Sequence, residues 1–194
     1  MRDHTAQRHL YPDLRVSSGG SMKGLVHVYT GCGKGKTTCS LGLALRALGW
    51  GRRVCMVQFI KGWGDTGESR FAALCPDFDL VQTAENKTLS ITKDYVEQAG
   101  EACREAFRKA EEIIRGGSYD LVILDEINGA VDYGLVPEEA VLELIKNKPG
   151  PLELVLTGRN AREKIMAAAD YVTEMKLIKH PYDRGIKARK GTDF

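Results

Sequence analysis

Nine residues, Thr30-Gly31-Cys32-Gly33-Lys34-Gly35-Lys36-Thr37-Thr38, have the composition of a loop that holds a polyphosphate. Gly31, Gly33 and Gly35 admit backbone angles closed to other residues and let the main chain approach an anion. Their amides, with the N-terminus of a following helix, would point at that anion as donors. Lys36 would add a point charge at the outer phosphates, and the Thr37 hydroxyl would complete a magnesium shell. The general pattern G-x-x-x-x-G-K-[ST] is not strictly met. Counting back from Gly35-Lys36-Thr37 puts Thr30 in the first glycine slot, with Gly31 one place late and Lys34 as an additional lysine. Such a variant suggests a task other than ordinary hydrolysis.

Other chemistry-bearing residues lie downstream. Asp125-Glu126 follows the apolar run Leu121–Leu124. At the C-terminal end of a parallel strand beside the loop strand, such a carboxylate reaches magnesium directly or through water. Thr157-Gly158-Arg159 ends a later apolar run, which places Arg159 on the same sheet edge as a forked phosphate donor. Arg46 follows the loop helix as a further contact to nucleotide or second substrate, against a plain reading as a solvated helix charge. Lys179-His180 and the tail Gly185–Gly191 read from composition as a solvated basic terminus, with a binding strand as the alternative. No nucleophile with a neighbouring base is legible, and none of the four histidines has a readable partner.

The elements that must position these residues alternate along the chain. Gly24–Tyr29 is a buried strand ahead of the loop, and Leu41, Ala44, Leu45 and Leu48 follow at helical spacing. Val54–Phe59 is a second strand, Glu68–Leu74 a short helix and Phe78–Gln82 a third strand. Val96, Ala99, Cys103, Ala106, Phe107, Ala110, Ile113 and Ile114 mark one face of a long helix that stops at Gly116-Gly117. A helix opened by Pro137 runs to about Asn147 with Val141, Leu144 and Ile145 inward, and Leu152–Leu156 is a last strand. This alternation predicts an α/β fold with a mostly parallel sheet and helices on both faces.

The chain's 194 residues, 43% of them apolar, fit one domain over residues 22–194. Residues 1–21 are polar and end in Ser17-Ser-Gly-Gly-Ser21. They read either as a leader ahead of a native start at Met22 or as an N-terminal arm folded over a site, and the Ser/Gly join favours the leader. A net charge of +2, from 28 basic and 26 acidic residues, is too balanced for nucleic acid as the main partner. Five cysteines without a C-x-x-C pair suggest neither a zinc site nor a disulfide framework, so a reducing cytoplasm is the simpler setting. No apolar stretch approaches the roughly 18 residues of a membrane span.

Taken together, the loop with Leu41–Ala47, Val57-Gln-Phe-Ile-Lys-Gly62, Ile123–Glu126, Thr157–Arg159 and Lys179-His180 through Gly191 resembles the ATP:corrinoid adenosyltransferases. The resemblance covers nearly everything from Met22 to Phe194. It implies a RecA-like P-loop fold, a homodimer, and transfer of the 5′-deoxyadenosyl group of ATP to cobalt(I) of cobalamin or a cobyrinic acid precursor, with release of triphosphate. It assigns ATP to Gly31, Cys32, Gly33, Lys34, Gly35, Lys36, Thr37, Thr38, Arg46 and Arg159, and catalysis to Lys36, Thr37 and Glu126. Magnesium falls to Thr37 and Glu126 with Asp125 beside them, and the corrinoid to Lys179, His180, Leu89 and Ile91. A reductase or flavodoxin is the implied electron donor.

Two departures stand out. Cys32 occupies a loop position usually held by asparagine in the family. Relatives often carry an aromatic pair after the third strand, whereas Thr83–Ile91 has no aromatic residue and offers only Leu89 and Ile91 as apolar substitutes. The competing readings are a P-loop phosphotransferase or ATPase, which would cut between phosphates, and a nucleotide-gated assembly protein, against which the balanced charge counts.

Overall fold

The computed structural model describes residues 23–60, 65–82 and 93–194, without the side chains of 93–99. Its strands are β1 (Val26–Thr30), β2 (Val54–Gln58), β3 (Phe78–Gln82), β4 (Leu121–Asp125), β5 (Glu153–Thr157) and β6 (Tyr171–Glu174). The helices are α1 (Lys36–Gly49), α2 (Gly67–Ala72), α3 (Lys93–Gly116), α4 (Ile127–Asp132), α5 (Glu138–Asn147) and α6 (Glu163–Ala168), with a 3-10 turn at Pro181–Arg184. The strands form one sheet in the order β3-β2-β4-β5-β1-β6, and every pairing is parallel.

Continuous apolar strands are explained by burial on both faces. In β2, Val54 and Met56 join Ala44 of α1 and Phe78 in one core cluster, while Cys55 and Val57 join α3, α4, α5 and α6 on the other face. Leu121 and Ile123 of β4 alternate with Val122 and Leu124 in the same way. All five residues of β2 and of β4 are buried, as a central parallel strand requires. The long helix buries Cys103, Ala106, Phe107, Ala110 and Ile114, which lie on its expected apolar face.

One placement differs from the sequence reading. The Asp125 strand does not lie beside the loop strand, because β5 is inserted between β4 and β1. Helices α4 and α6 and strand β6 went unread for a physical reason. Each helix, like α2, has only six residues, over which a helical period is a weak signal, and all four residues of β6 are exposed, so no apolar run marks it.

Candidate nucleotide site

All strands run the same way, so the ends of β1, β2, β4 and β5 meet at one edge, where ligands of open α/β sheets collect. Residues 31–35 turn there from β1 into α1, with positive φ at Gly31 (96°) and Gly35 (124°). Gly33 is required for another reason. A Cβ on it would lie 2.7 Å from the carbonyl oxygens of both Met175 and Lys176, which follow β6. The Gly33 amide donates to the Met175 carbonyl at 2.7 Å, so the segment that follows β6 braces the loop. Helix α1 begins at Lys36 behind Gly35, with no side chain capping it, which leaves its N-terminus for a ligand. The Lys36 ammonium, on a side chain that is nearly buried, donates to the carbonyls of Gly31 (2.8 Å) and Gly33 (2.9 Å).

Across β5 from the loop, Asp125 is wholly buried at the end of β4. Its Oδ1 accepts the Thr37 hydroxyl at 2.9 Å and the Thr157 hydroxyl at 2.7 Å. Its Oδ2 accepts from the Gln58 amide at 3.3 Å. The same Gln58 nitrogen donates to Glu68 of α2 at 3.1 Å, and the Gln58 carbonyl accepts from Gln82 at 2.7 Å. Thr157 ties the end of β5 to the end of β4, since its Oγ1 also accepts the Glu126 amide at 3.0 Å. One carboxylate thus ties together α1, β2, β4 and β5.

Glu126 caps α4 in the left-handed region (φ 64°, ψ 19°), an uncommon conformation for a residue with a side chain and one concentrated at functional sites. Gly158 has φ 134°, and a Cβ there would meet the Gly129 amide nitrogen at 2.8 Å, so the Thr157-Gly158-Arg159 turn packs directly on α4. Beyond it Arg159 is exposed.

The edge gathers Gly31 to Thr38, Asp125, Glu126 and Thr157 to Arg159. Arg46 stands apart in the last turn of α1, about 15 Å along the axis from Lys36. Lys179 is exposed, and His180 caps the Pro181 turn by accepting the Tyr182 amide on Nδ1 at 3.2 Å. Leu89 and Ile91 lie outside the described residues. Cys32 and Cys39 are exposed, and all five cysteines are free.

Sequence reasoning found no partner for any histidine, but His27 Nε2 lies 2.5 Å from Glu153 Oε1. That pair sits early in β1, stacked on Tyr171, about three residues from the loop edge, and supplies no base there. Gln58, Glu68, Thr157 and Asp193 were given no role from sequence. A polar residue closing an otherwise apolar buried strand is the signal that could have marked Gln58, and Thr157 ends β5 in the same way.

Magnesium suits this donor set of a hydroxyl and carboxylates at a helix N-terminus. Among the described residues no group of three or more His, Cys, Asp or Glu could hold a metal alone. An ion held here would need further ligands from outside these side chains.

A glycine loop on a helix N-terminus, a lysine and threonine opening that helix, and a buried carboxylate two strands away define a P-loop nucleotide-binding α/β protein of RecA-like architecture. The particular family is given by sequence. The profile of ATP:corrinoid adenosyltransferase BtuR/CobO/CobP matches residues 22–194, and the chain belongs to that family. The corrinoid adenosyltransferase of Escherichia coli (strain K12) is 36% identical over 187 residues, covering 94% of this chain and 91% of that one. The corrinoid adenosyltransferase of Sinorhizobium sp is 40% identical over 178 residues (89% and 81%), and that of Pseudomonas aeruginosa is 34% identical over 193 residues (100% and 95%). Among solved structures, flagellar accessory protein FlaH from Methanocaldococcus jannaschii is similar with a TM-score of 0.54 over 81% of this chain and 73% of that one. At 13% identity, the likeness is one of fold alone.

Proposed function

We propose that this chain transfers the 5′-deoxyadenosyl group of ATP to cobalt(I) of a corrinoid and releases intact triphosphate. The observation that carries this reading is the convergence of Lys36, Thr37 and Asp125 at the N-terminus of α1, with Thr37 and Asp125 hydrogen-bonded at 2.9 Å. Reduced cobalt is itself the nucleophile. As its bond to the ribose 5′ carbon forms, the carbon–oxygen bond breaks and its electron pair leaves on the triphosphate, so no general base is needed. What remains for the protein is alignment and stabilisation of the growing charge. The loop amides and Lys36 answer that charge, and Lys34, Cys32, Thr38 and Arg159 complete the phosphate contacts.

Thr37 and Glu126 would ligate magnesium, with Asp125 holding the Thr37 hydroxyl in place. When bound, the ion supplies further charge neutralisation on the triphosphate. Leu89, Ile91, Lys179 and His180 are read as corrinoid contacts, and residues 22–194 as the catalytic domain. A homodimer, a reductase or flavodoxin as electron donor, and a cytoplasmic setting complete the proposal. The free cysteines fit that setting, and no helix among the described residues is long and apolar enough to cross a membrane.

The test supplies ATP, magnesium and chemically reduced cobalamin, and follows corrinoid absorbance together with the phosphate products. An adenosylated corrinoid with triphosphate in equal amount is expected. Corrinoid-dependent release of ADP and phosphate would overturn the reading and favour a phosphotransferase.

A further inference from the structure

The basic tail is exposed to solvent, yet it is tied to the phosphate loop. Lys34, the additional lysine of the phosphate loop, donates to the Thr192 carbonyl at 2.9 Å and pairs with the Asp193 carboxylate. Asp193 is in turn held by its own turn. Its Oδ2 accepts from the Arg189 amide at 3.0 Å and from Arg189 Nε at 3.2 Å, while the Asp193 amide returns to the Arg189 carbonyl at 2.9 Å. Lys190 of the same turn pairs with Asp65 at 3.5 Å.

This carboxylate is not what shapes the loop. The loop backbone is already fixed by the Gly33 amide on Met175 and by Lys36 on the carbonyls of Gly31 and Gly33. On the loop, the tail meets the Lys34 ammonium, and does so with an anion. The Lys34 side chain is 41% exposed, so an incoming ligand can reach it without unfolding anything. Because Arg189 grips the other carboxylate oxygen, Asp193 keeps its turn when it loses Lys34 and stands ready to return. The Lys34 ammonium, helped by the Arg189 amide, holds the Asp193 carboxyl down at about 2, so the competitor is fully charged at neutral pH.

We propose that the turn Arg189–Asp193 is a built-in stand-in for phosphate: the Asp193 carboxylate occupies Lys34 until the triphosphate chain of ATP displaces it, and reclaims Lys34 as triphosphate leaves. The proposal rests on the reading that the loop takes the triphosphate of ATP. The latch lowers ground-state affinity for the polyphosphate and favours release of a product that a rigid cationic cradle would retain.

The experiment is calorimetric titration of sodium tripolyphosphate, with magnesium, into wild-type protein, Asp193→Asn, Lys34→Met and the double variant at low salt. Asp193→Asn keeps the side chain's size and removes its charge. Its dissociation constant is expected to fall about twofold to fivefold, the span that half-exposed ion pairs cover, and the gain should shrink as salt is raised. In the Lys34→Met background the same substitution should bring no gain, which separates release of Lys34 from a general change in field. Equal or weaker binding by Asp193→Asn, or the same gain without Lys34, overturns the latch while leaving the nucleotide site intact. Failure of the wild-type protein to bind tripolyphosphate at all would overturn the assignment of the loop, and the latch with it.

Discussion

The side chain that best probes the site's architecture is Gln58, only 1% exposed at the end of β2. Its amide nitrogen carries two hydrogens and faces two carboxylates, Glu68 at 3.1 Å and Asp125 at 3.3 Å, while its oxygen is claimed by Gln82. Flipping the amide would set its oxygen against both carboxylates, so its orientation is dictated. In Gln58→Leu, half-buried Glu68 turns to water, but wholly buried Asp125 loses one of its donors. A hydrogen bond to a charged group contributes about 1.5–3 kcal/mol, and a 3.3 Å contact belongs near the lower end. The expected cost is about 2 kcal/mol. For a chain of this length that is a fall in Tm of about 4–8 °C by calorimetry. Through Asp125 the same change should loosen the Thr37 hydroxyl and raise the magnesium concentration for half-maximal adenosyl transfer by about tenfold. Gln58→Glu sharpens the test by placing a third carboxylate between two others. Repulsion raises its folded-state pKa, so its stability contribution is present in acid and lost as pH rises; that variant should recover stability on acidification. A lowered Tm with unchanged magnesium dependence would refute the positioning role and leave Gln58 a structural residue.

Two further predictions concern residues with proposed contacts to the ion and the corrinoid. Glu126→Gln keeps the shape of the α4 cap and should leave the fold intact while cutting turnover about tenfold or more at limiting magnesium. Unchanged turnover under that condition would reduce Glu126 to a strand-end carboxylate. Leu89→Asp or Ile91→Asp should impair activity starting from cobalt(II) far more than from pre-reduced cobalt(I), because an apolar shield against an axial ligand helps reduction whereas attack on carbon depends on alignment. Equal losses from both starting states would refute shielding.

Much of this architecture was legible because the strongest signals are local. The glycine loop, the long apolar face from Cys103 to Ile114 and the buried runs of β2 and β4 each follow from spacing within one element. Strand order does not, since nothing in Leu121–Asp125 says that another strand separates it from the loop. The tail escaped for a related reason. Lys34 and Asp193 are far apart in the chain, and no periodicity connects a loop lysine to a carboxylate in a distant turn. Composition read Gly185–Gly191 as a basic terminus, although the residue that matters most there, Asp193, is acidic and lies just beyond it.

The inserted strand also explains why Thr157 stands where it does. With β5 between β1 and β4, no backbone pairing joins the loop strand to the Asp125 strand, and the Thr37 hydroxyl reaches Asp125 past the end of β5. At that end Thr157 steadies the same carboxylate with one hydroxyl, which donates to Asp125 Oδ1 and accepts the Glu126 amide. Serine could make both bonds but would lose the methyl that fills this wholly buried position, and valine would fill it and make neither. The glycine after it lets the chain turn on the surface of α4, where a Cβ would collide with the Gly129 amide. The short Thr157-Gly158 sequence is thus the consequence of sheet order. The parallel arrangement brings four strand ends to one edge, the fifth strand in chain order separates two of them, and the hydroxyl that ends it holds the carboxylate to which Thr37 of the loop helix donates.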